Sequence, residues 1–175
     1  MKLLDDLLLA EPDAEALILG MLRVADSLRS IGAKKLCDSS VNTLSAVNTL
    51  IVLKRIEDYG KDHPEDIDPG FRAGEIKPSD LAESLVQTKG NVTQLLRRIG
   101  TDHIKLRNID NRTKAASLTP RGRKKARSLE AKYSEMVGTI CSDLSATSIG
   151  QSFKTLEKLH LTLEALKEQE EKNGH

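Results

Sequence analysis

Tryptophan is absent from the 175 residues, and only two tyrosines and two phenylalanines occur, so the core must be built from Leu, Ile, Val and Ala. Cysteine is almost as scarce. Cys37 and Cys141 stand far apart, which excludes a disulfide framework and predicts two free thiols. No apolar run approaches the roughly 18 residues of a membrane span. The start MKLLDDLLLAEPD also lacks the basic stretch and cleavage site of a signal peptide, so a cytoplasmic location with no membrane partner is expected. Catalytic signatures are missing as well: there is no Gly-x-Ser-x-Gly elbow, phosphate-cradling Gly-x-x-x-x-Gly-Lys loop, Cys-x-x-Cys pair or His-Glu-x-x-His helix. No catalytic residues, no cofactor and no enzymatic role are expected.

What is present is an uneven distribution of charge. Residues 77–132 hold 14 Lys and Arg against 5 Asp and Glu, a net of +9, whereas the remainder holds 13 against 21, a net of −8. The overall charge of +1 hides a basic segment with acidic flanks, as in a phosphate-binding module joined to a separate scaffold. The start of the helix after Thr119 is especially basic, with Arg121, Arg123, Lys124, Lys125 and Arg127. Cations oppose the macrodipole at a helix N-terminus, so an anion is expected close by.

Within the basic segment the pattern is two short helices, a hairpin and a new helix. Pro78 suits a first helical position, and Leu81, Ala82, Leu85 and Val86 follow at helical spacing. After a break at Gln87, Thr88 is a candidate N-cap, and Val92, Leu95, Leu96 and Ile99 form one buried stripe. The opposite face offers Gly90, Thr93, Gln94, Arg97 and Arg98 without a carboxylate, as a recognition helix in a major groove requires. Ile104, Leu106 and Ile109 then lead to Asp110-Asn111-Arg112, and Ala115, Ala116 and Leu118 return as a second strand. Arg112 at the tip fits a minor groove, and Asp110 can hold the turn by accepting backbone N–H groups. Thr119 is placed to cap the helix that begins at Pro120.

These residues resemble the MarR family of bacterial transcriptional regulators. The resemblance is carried by DLAESL, by QTKGNVTQLLRRI, by Asp110-x-Arg112 and by SLTPRGRKKA at 117–126. It extends in helix order over residues 41–166, with its sharpest motifs in 77–126. It implies a homodimer in which helices from both chain ends form a dimer lobe, with one winged domain per subunit docking on a pseudo-palindromic operator. It also implies a cleft for a small-molecule effector whose identity the sequence leaves open, and in some members an oxidant-sensing cysteine near the first helix, here Cys37. Lys34 and Lys35 would lower its pKa, and an inert thiol is the alternative. The chain departs from the family at His103-Ile104-Lys105, where a glycine is usual, and in a wing that is short between Arg107 and Asp110.

The fold class expected is mainly α with a small β-hairpin wing: a winged helix-turn-helix plus a helical dimerisation lobe. The winged lobe is placed at 41–120 and the dimerisation lobe at 1–40 and 121–172, within one structural domain. Long helices carry Leu17, Met21, Val24, Leu28 and Ile31; Leu44, Val47, Leu50, Ile51 and Ile56; Ala126, Leu129, Tyr133, Met136, Val137, Ile140, Cys141 and Leu144; and, after a Ser-Ala-Thr-Ser break, Ile149, Phe153, Leu156, Leu159, Leu163 and Leu166. Their apolar surplus points to a second subunit, a closed monomeric bundle being the alternative. Residues 60–76, GKDHPEDIDPGFRAGEI, read as a loop insertion, either an excursion or a functional element. His63 with Asp62, Glu65, Asp66 and Asp68 lacks metal spacing, so no metal site is expected.

The function expected is a DNA-binding transcriptional regulator, a repressor on double-stranded DNA. Lys89, Asn91, Thr93, Gln94, Arg97 and Arg98 would form the reading face, with Thr88 setting the helix N-terminus on a phosphate, Arg112 in the minor groove and Asp110 supporting the wing. The rival is a winged domain that binds protein rather than DNA.

Overall fold

The computed structural model describes residues 14–173. Among them are α1 (Ala14–Leu36), α2 (Leu44–Asp62), a 3-10 turn (Pro64–Asp66), α3 (Pro78–Ser84), α4 (Lys89–Ile99), β1 (Ile104–Asn108), β2 (Lys114–Leu118), α5 (Pro120–Ile140) and α6 (Ala146–Asn173). This is the mainly α, winged helix-turn-helix architecture that the periodicity predicts. The stretch MKLLDDLLLAEPD, and with it the beginning of the expected 1–40 lobe, lies outside the described residues. The chain divides into two compact units at the Glu135–Met136 step, inside α5.

The core of the first unit forms around α2. Ala46, Val47, Leu50, Ile51 and Leu53 of that helix are buried together with Leu81 and Ala82 of α3 and the α4 stripe Val92, Leu95, Leu96 and Ile99. Ile104 of β1, Ala116 and Leu118 of β2, and Ala126 and Leu129 of α5 complete it, while Ala115 is buried on the other face of β2. Leu44 and Ile56, expected on the α2 stripe, are only half-buried. Leu53 and Thr49 are fully buried instead, because α2 is covered on more than one side by α4 and β2. By contrast α1 buries only Gly32 and Leu36, and Leu17, Leu22, Val24 and Leu28 stay exposed. In the second unit α6 does the same: Ile149, Leu156, Leu163 and Leu166 are exposed, and Phe153 is 66% exposed.

Side-chain oxygens start most of the helices. Thr43 accepts the N–H of Ala46 at 3.2 Å, Thr88 that of Asn91 at 3.3 Å, Thr119 that of Gly122 at 2.9 Å and Ser145 that of Ser148 at 3.1 Å. Each satisfies an N–H that a helix start leaves without an intrahelical partner. The cap at Ser145 corrects one expectation: the Ser-Ala-Thr-Ser stretch opens α6 rather than separating two helices. The break lies earlier, so Cys141 and Leu144 occupy the turn after Ile140 instead of the α5 stripe.

The helix-turn-helix corner holds a local conflict. The N–H of Val86 bonds to the Glu83 carbonyl at 3.0 Å and that of Gln87 to the Ala82 carbonyl at 2.9 Å, the paired bonds of a Schellman helix end. That motif needs a left-handed residue, and the position is filled by Val86 at φ 51°. A β-branched side chain is strained there, and instead of joining the α3 stripe it is 72% exposed.

The expected 60–76 loop also begins later. α2 continues to Asp62, and Ile76 pairs with Ala116 across the free edge of β2, through N–H···O bonds of 3.1 and 2.8 Å. Residues 63–75 between them form a strap over the wing. Gly74 lies against Glu57 of α2 with φ +81°, where an added Cβ would come within 2.7 Å of the Glu57 side chain. The buried Glu57 receives Lys61 Nζ and Arg123 Nε, each at 2.6 Å, which ties α2 to the start of α5. Burial pushes its carboxyl pKa up, but the two cations outweigh burial and hold it below the usual carboxylate value. A second close approach joins α5 to the wing: a Cβ on Gly122 would stand 2.1 Å from the carbonyl oxygen of His103.

Three outcomes follow for stability. Val86→Gly removes left-handed strain of about 1–3 kcal/mol, partly offset by glycine's flexibility, so its melting temperature by circular dichroism should rise by about 2–4 °C. Gly122→Ala should lower it by several degrees, since the opposing atom is backbone and overpacking costs about 1–3 kcal/mol. Because the folded-state pKa of Glu57 is depressed, its contribution is present above the unfolded value of 4.5 and is lost as pH falls through the folded pKa. Melting curves of Glu57→Gln and wild type should therefore differ most at neutral pH and converge as pH falls through the folded-state pKa of Glu57.

Candidate nucleic-acid interface

α4 is built to bury one side and present the other. Its apolar residues recur at three and four positions, so Val92, Leu95, Leu96 and Ile99 pack inward while Lys89, Gly90, Asn91, Thr93, Gln94, Arg97 and Arg98 are all exposed. Thr88 stands at the N-cap with its hydroxyl oxygen occupied by the Asn91 N–H, leaving other N–H groups of the first turn open. Thr93 donates its hydroxyl to the Lys89 carbonyl at 2.9 Å, so only its lone pairs and methyl face outward. The exposed side of α4 has no carboxylate. It offers amides at Asn91 and Gln94 and cations at Lys89, Arg97 and Arg98.

The wing tip is held by Asp110. One carboxylate oxygen accepts the N–H groups of Arg112 and Thr113, both at 2.7 Å, and the Ile109 N–H bonds to the Thr113 carbonyl at 2.9 Å. The two backbone N–H groups keep the Asp110 carboxyl below its usual pKa. The Arg112 side chain is left exposed at the tip.

Ion pairing sorts the cations of the basic segment into two sets. Lys77 is bonded to Asp68 at 2.8 Å, Arg121 to Asp102 at 2.8 Å and Arg123 to Glu57 at 2.6 Å; Arg107 pairs with Glu75 and Lys125 with Asp38. Among the described residues Lys89, Arg97, Arg98 and Arg112 make no ion pair, and neither do Lys105, Lys114, Lys124, Arg127 and Lys132. Carboxylates of the protein itself stand near the α5 start: Asp102, Glu57 and Asp38, from three preceding segments, pair with Arg121, Arg123 and Lys125, while Lys124 and Arg127 stay exposed without an ion pair. Lys125 and Ser40 hold the Asp38 carboxyl well below the usual carboxylate range.

Cys37 and the acidic residues around His63 lie in surroundings that the sequence left open. Cys37 follows α1 and is half-buried; burial and the neighbouring Asp38 carboxylate raise its thiol pKa, opposite to the lowering expected from Lys34 and Lys35. The strap residues around His63 serve as internal partners, with Asp66 accepting the Tyr59 hydroxyl at 2.6 Å and Asp68 accepting Lys77. Between the end of α2, the strap and the start of α3 lies an open cavity of about 250 Å³, walled by Tyr59, His63, Phe71, Lys77 and Asp80 among others. Sequence reasoning missed the strap's part in this region, because Glu75, Gly70 and Gly74 carry no local signal of what they touch.

No protein-family model and no curated protein matches the chain. Solved structures do. The MepR–DNA complex of S. aureus is 23% identical with a TM-score of 0.65, over 87% of this chain and 99% of MepR. FabT of Streptococcus pneumoniae, solved in complex with DNA, is 21% identical with a TM-score of 0.65, over 88% of this chain and 99% of FabT. AbsC of Streptomyces coelicolor, a MarR family transcriptional regulator, is 19% identical with a TM-score of 0.69, over 86% of this chain and 94% of AbsC. Across most of its length the chain thus has the winged helix-turn-helix fold of a MarR-family transcriptional regulator.

Proposed function

We propose that the chain is a homodimeric DNA-binding transcriptional regulator, acting in the cytoplasm as a repressor and not as an enzyme. The observation that carries this reading is the exposed, carboxylate-free side of α4, where Lys89, Arg97 and Arg98 make no ion pair among the described residues and stand beside the amides of Asn91 and Gln94. A helix with that face inserts into a major groove: Asn91 and Gln94 pair bidentately with adenine, Arg97 reaches base edges or backbone, and Lys89 and Arg98 hold phosphates. Thr88 sets the α4 N-terminus towards a phosphate, and Arg112 enters the adjacent minor groove. MepR and FabT, which share the fold, were each solved bound to DNA.

The dimer rests on α1 and α6. Both helices leave rows of Leu, Ile, Val or Phe exposed in the single chain, and a second copy would cover them. In this arrangement residues 1–40 and 121–172 serve dimerisation, and residues 41–120 serve DNA, one winged module to each half-site. Two-fold symmetry then calls for an inverted repeat, with half-sites one helical turn of about 34–36 Å, or a multiple of it, apart.

Selection from random duplex DNA tests the whole reading: recovery of an inverted repeat supports it, and recovery of no preferred sequence, with no salt-dependent binding, removes it. On the selected site Gln94→Ala should relax preference at one base pair of each half-site, at a cost of about 1–3 kcal/mol. Lys89→Ala should weaken all sequences alike and reduce the salt slope by about one. Wild-type affinity in an Arg97→Ala, Gln94→Ala double variant would take this face out of the interface.

A further inference from the structure

The wing is gripped from outside by the strap. In the β1–β2 register Arg107 faces Ala115 and Lys105 faces Ser117, while the buried Ile104, Ala116 and Leu118 share the opposite face with the exposed Leu106. Ile76 bonds to Ala116 from the other edge of β2, which sets Glu75 beside Ser117 on the same outer face as Arg107. A bond between Glu75 and Arg107 must therefore cross the full width of β2, two strand spacings or about 9.6 Å. It does so. Arg107 Nε donates to Glu75 Oε1 at 2.9 Å, a terminal guanidinium nitrogen donates to Glu75 Oε2, and the same nitrogen donates to the Gly70 carbonyl at 2.9 Å.

The crossing is possible because the residues beneath it, Ala115 and Ser117, are small. Ala115 is 0% exposed although it lies on the outward face of a hairpin, as a residue roofed by this pair would be. The Glu75 side chain is 7% exposed and also accepts the Arg72 N–H at 3.0 Å, so the carboxylate is held before the arginine meets it. The strap has its own anchors: Gly74 against Glu57, Asp68 on Lys77, and Asp66 on the Tyr59 hydroxyl. It meets the wing a second time where Gly70 approaches Ile109, next to the tip that carries Asp110 and Arg112; a Cβ added to Gly70 would lie 3.4 Å from Ile109 Cγ2.

We propose that the strap clamps the wing through Glu75 and Arg107, making Glu75 a positioning residue that fixes where Arg112 is presented to DNA. The proposal rests on the DNA-binding reading above for its function, and on the geometry of the free protein for the clamp. A two-stranded hairpin is marginal in water by itself, so the direction of its tip is set by whatever holds it. Here the base of the hairpin is held by packing on α2 and by Ile76, and a bidentate arginine–carboxylate pair from a segment outside the hairpin adds a hold at Arg107, nearer the tip. It follows that Arg107 is occupied by the clamp and does not contact DNA, whereas Arg112 does.

The test is a double-mutant cycle on the full-length protein, read by fluorescence anisotropy with the selected duplex, together with hydrogen exchange without DNA. Arg112→Ala should weaken binding about tenfold in the wild-type background and less than twofold in a Glu75→Ala background. Glu75→Gln, which keeps shape and loses charge, should fall between the two. Amides of residues 105–116 should exchange faster in both Glu75 variants while those of α4 stay unchanged. An equal factor for Arg112→Ala in both backgrounds, or no effect of it in wild type, would overturn the positioning role. Unchanged wing exchange would overturn the clamp. If wild type bound no duplex at all, the DNA reading would fall, and the exchange measurement would still decide the clamp.

Discussion

Burial of α2 is the constraint on which the rest of the first unit depends. Val47, Leu50 and Leu53 are wholly inaccessible, and the elements that cover them include those that would meet DNA. α4 and β2 both pack on α2, while α3 packs on α4 and β2. Interiors at this density tolerate few alternative arrangements, so the orientation of the α4 stripe on this core sets which way Gln94 and Arg97 point. The same helix supplies Glu57 to Arg123 of α5 and its backbone neighbourhood to Gly74 of the strap, so the outer elements are referenced to it by polar contacts as well.

Electrostatics then divides labour among the cations. A segment with a net charge of +9 could scatter its charge over every exposed surface, yet carboxylates from α2, the strap, the turn before β1 and the stretch after α1 take up Arg123, Arg107, Lys77, Arg121 and Lys125. The exposed pairs among them, Lys77–Asp68 and Arg121–Asp102, add little stability each, about 0–1 kcal/mol. Their larger effect is spatial. Cations without an ion-pair partner are left on α4, which has no carboxylate of its own, and at the wing tip, where the Arg112 side chain stays exposed, as well as on the hairpin strands and α5, and a phosphate backbone can use them.

Much of this was legible in the residue pattern. The α4 stripe, the caps at Thr88 and Thr119, Pro78 at the start of α3 and the Asp110 turn all follow from rules that act over three or four residues. Elements whose placement depends on distant partners were not. Leu44 and Ile56 have the right spacing for the α2 stripe but lie at its margin, because the cover over α2 is broader than one face. Val86 reads as an apolar helix residue, whereas the corner requires a left-handed turn that its side chain only tolerates. The helix ends near Asp62 and Ile140 were displaced by a few residues for a similar reason: caps such as Ser145, not the hydrophobic period, decide where a helix stops and the next starts.

Short-range chemistry, contained in the sequence, determined the fold class, the order of elements, the inward face of α4 and the presence of a basic segment. Tertiary structure alone decided which cations remain free, because their partners stand far away along the chain: Arg107 finds Glu75 at a separation of 32 residues, Arg123 finds Glu57 at 66 and Lys125 finds Asp38 at 87. The same holds for the strap, since a Glu–Arg pair that crosses β2 over Ala115 needs three chain segments in register at once. Hydrophobic period and capping are local properties of a chain. Charge pairing is a property of the folded surface.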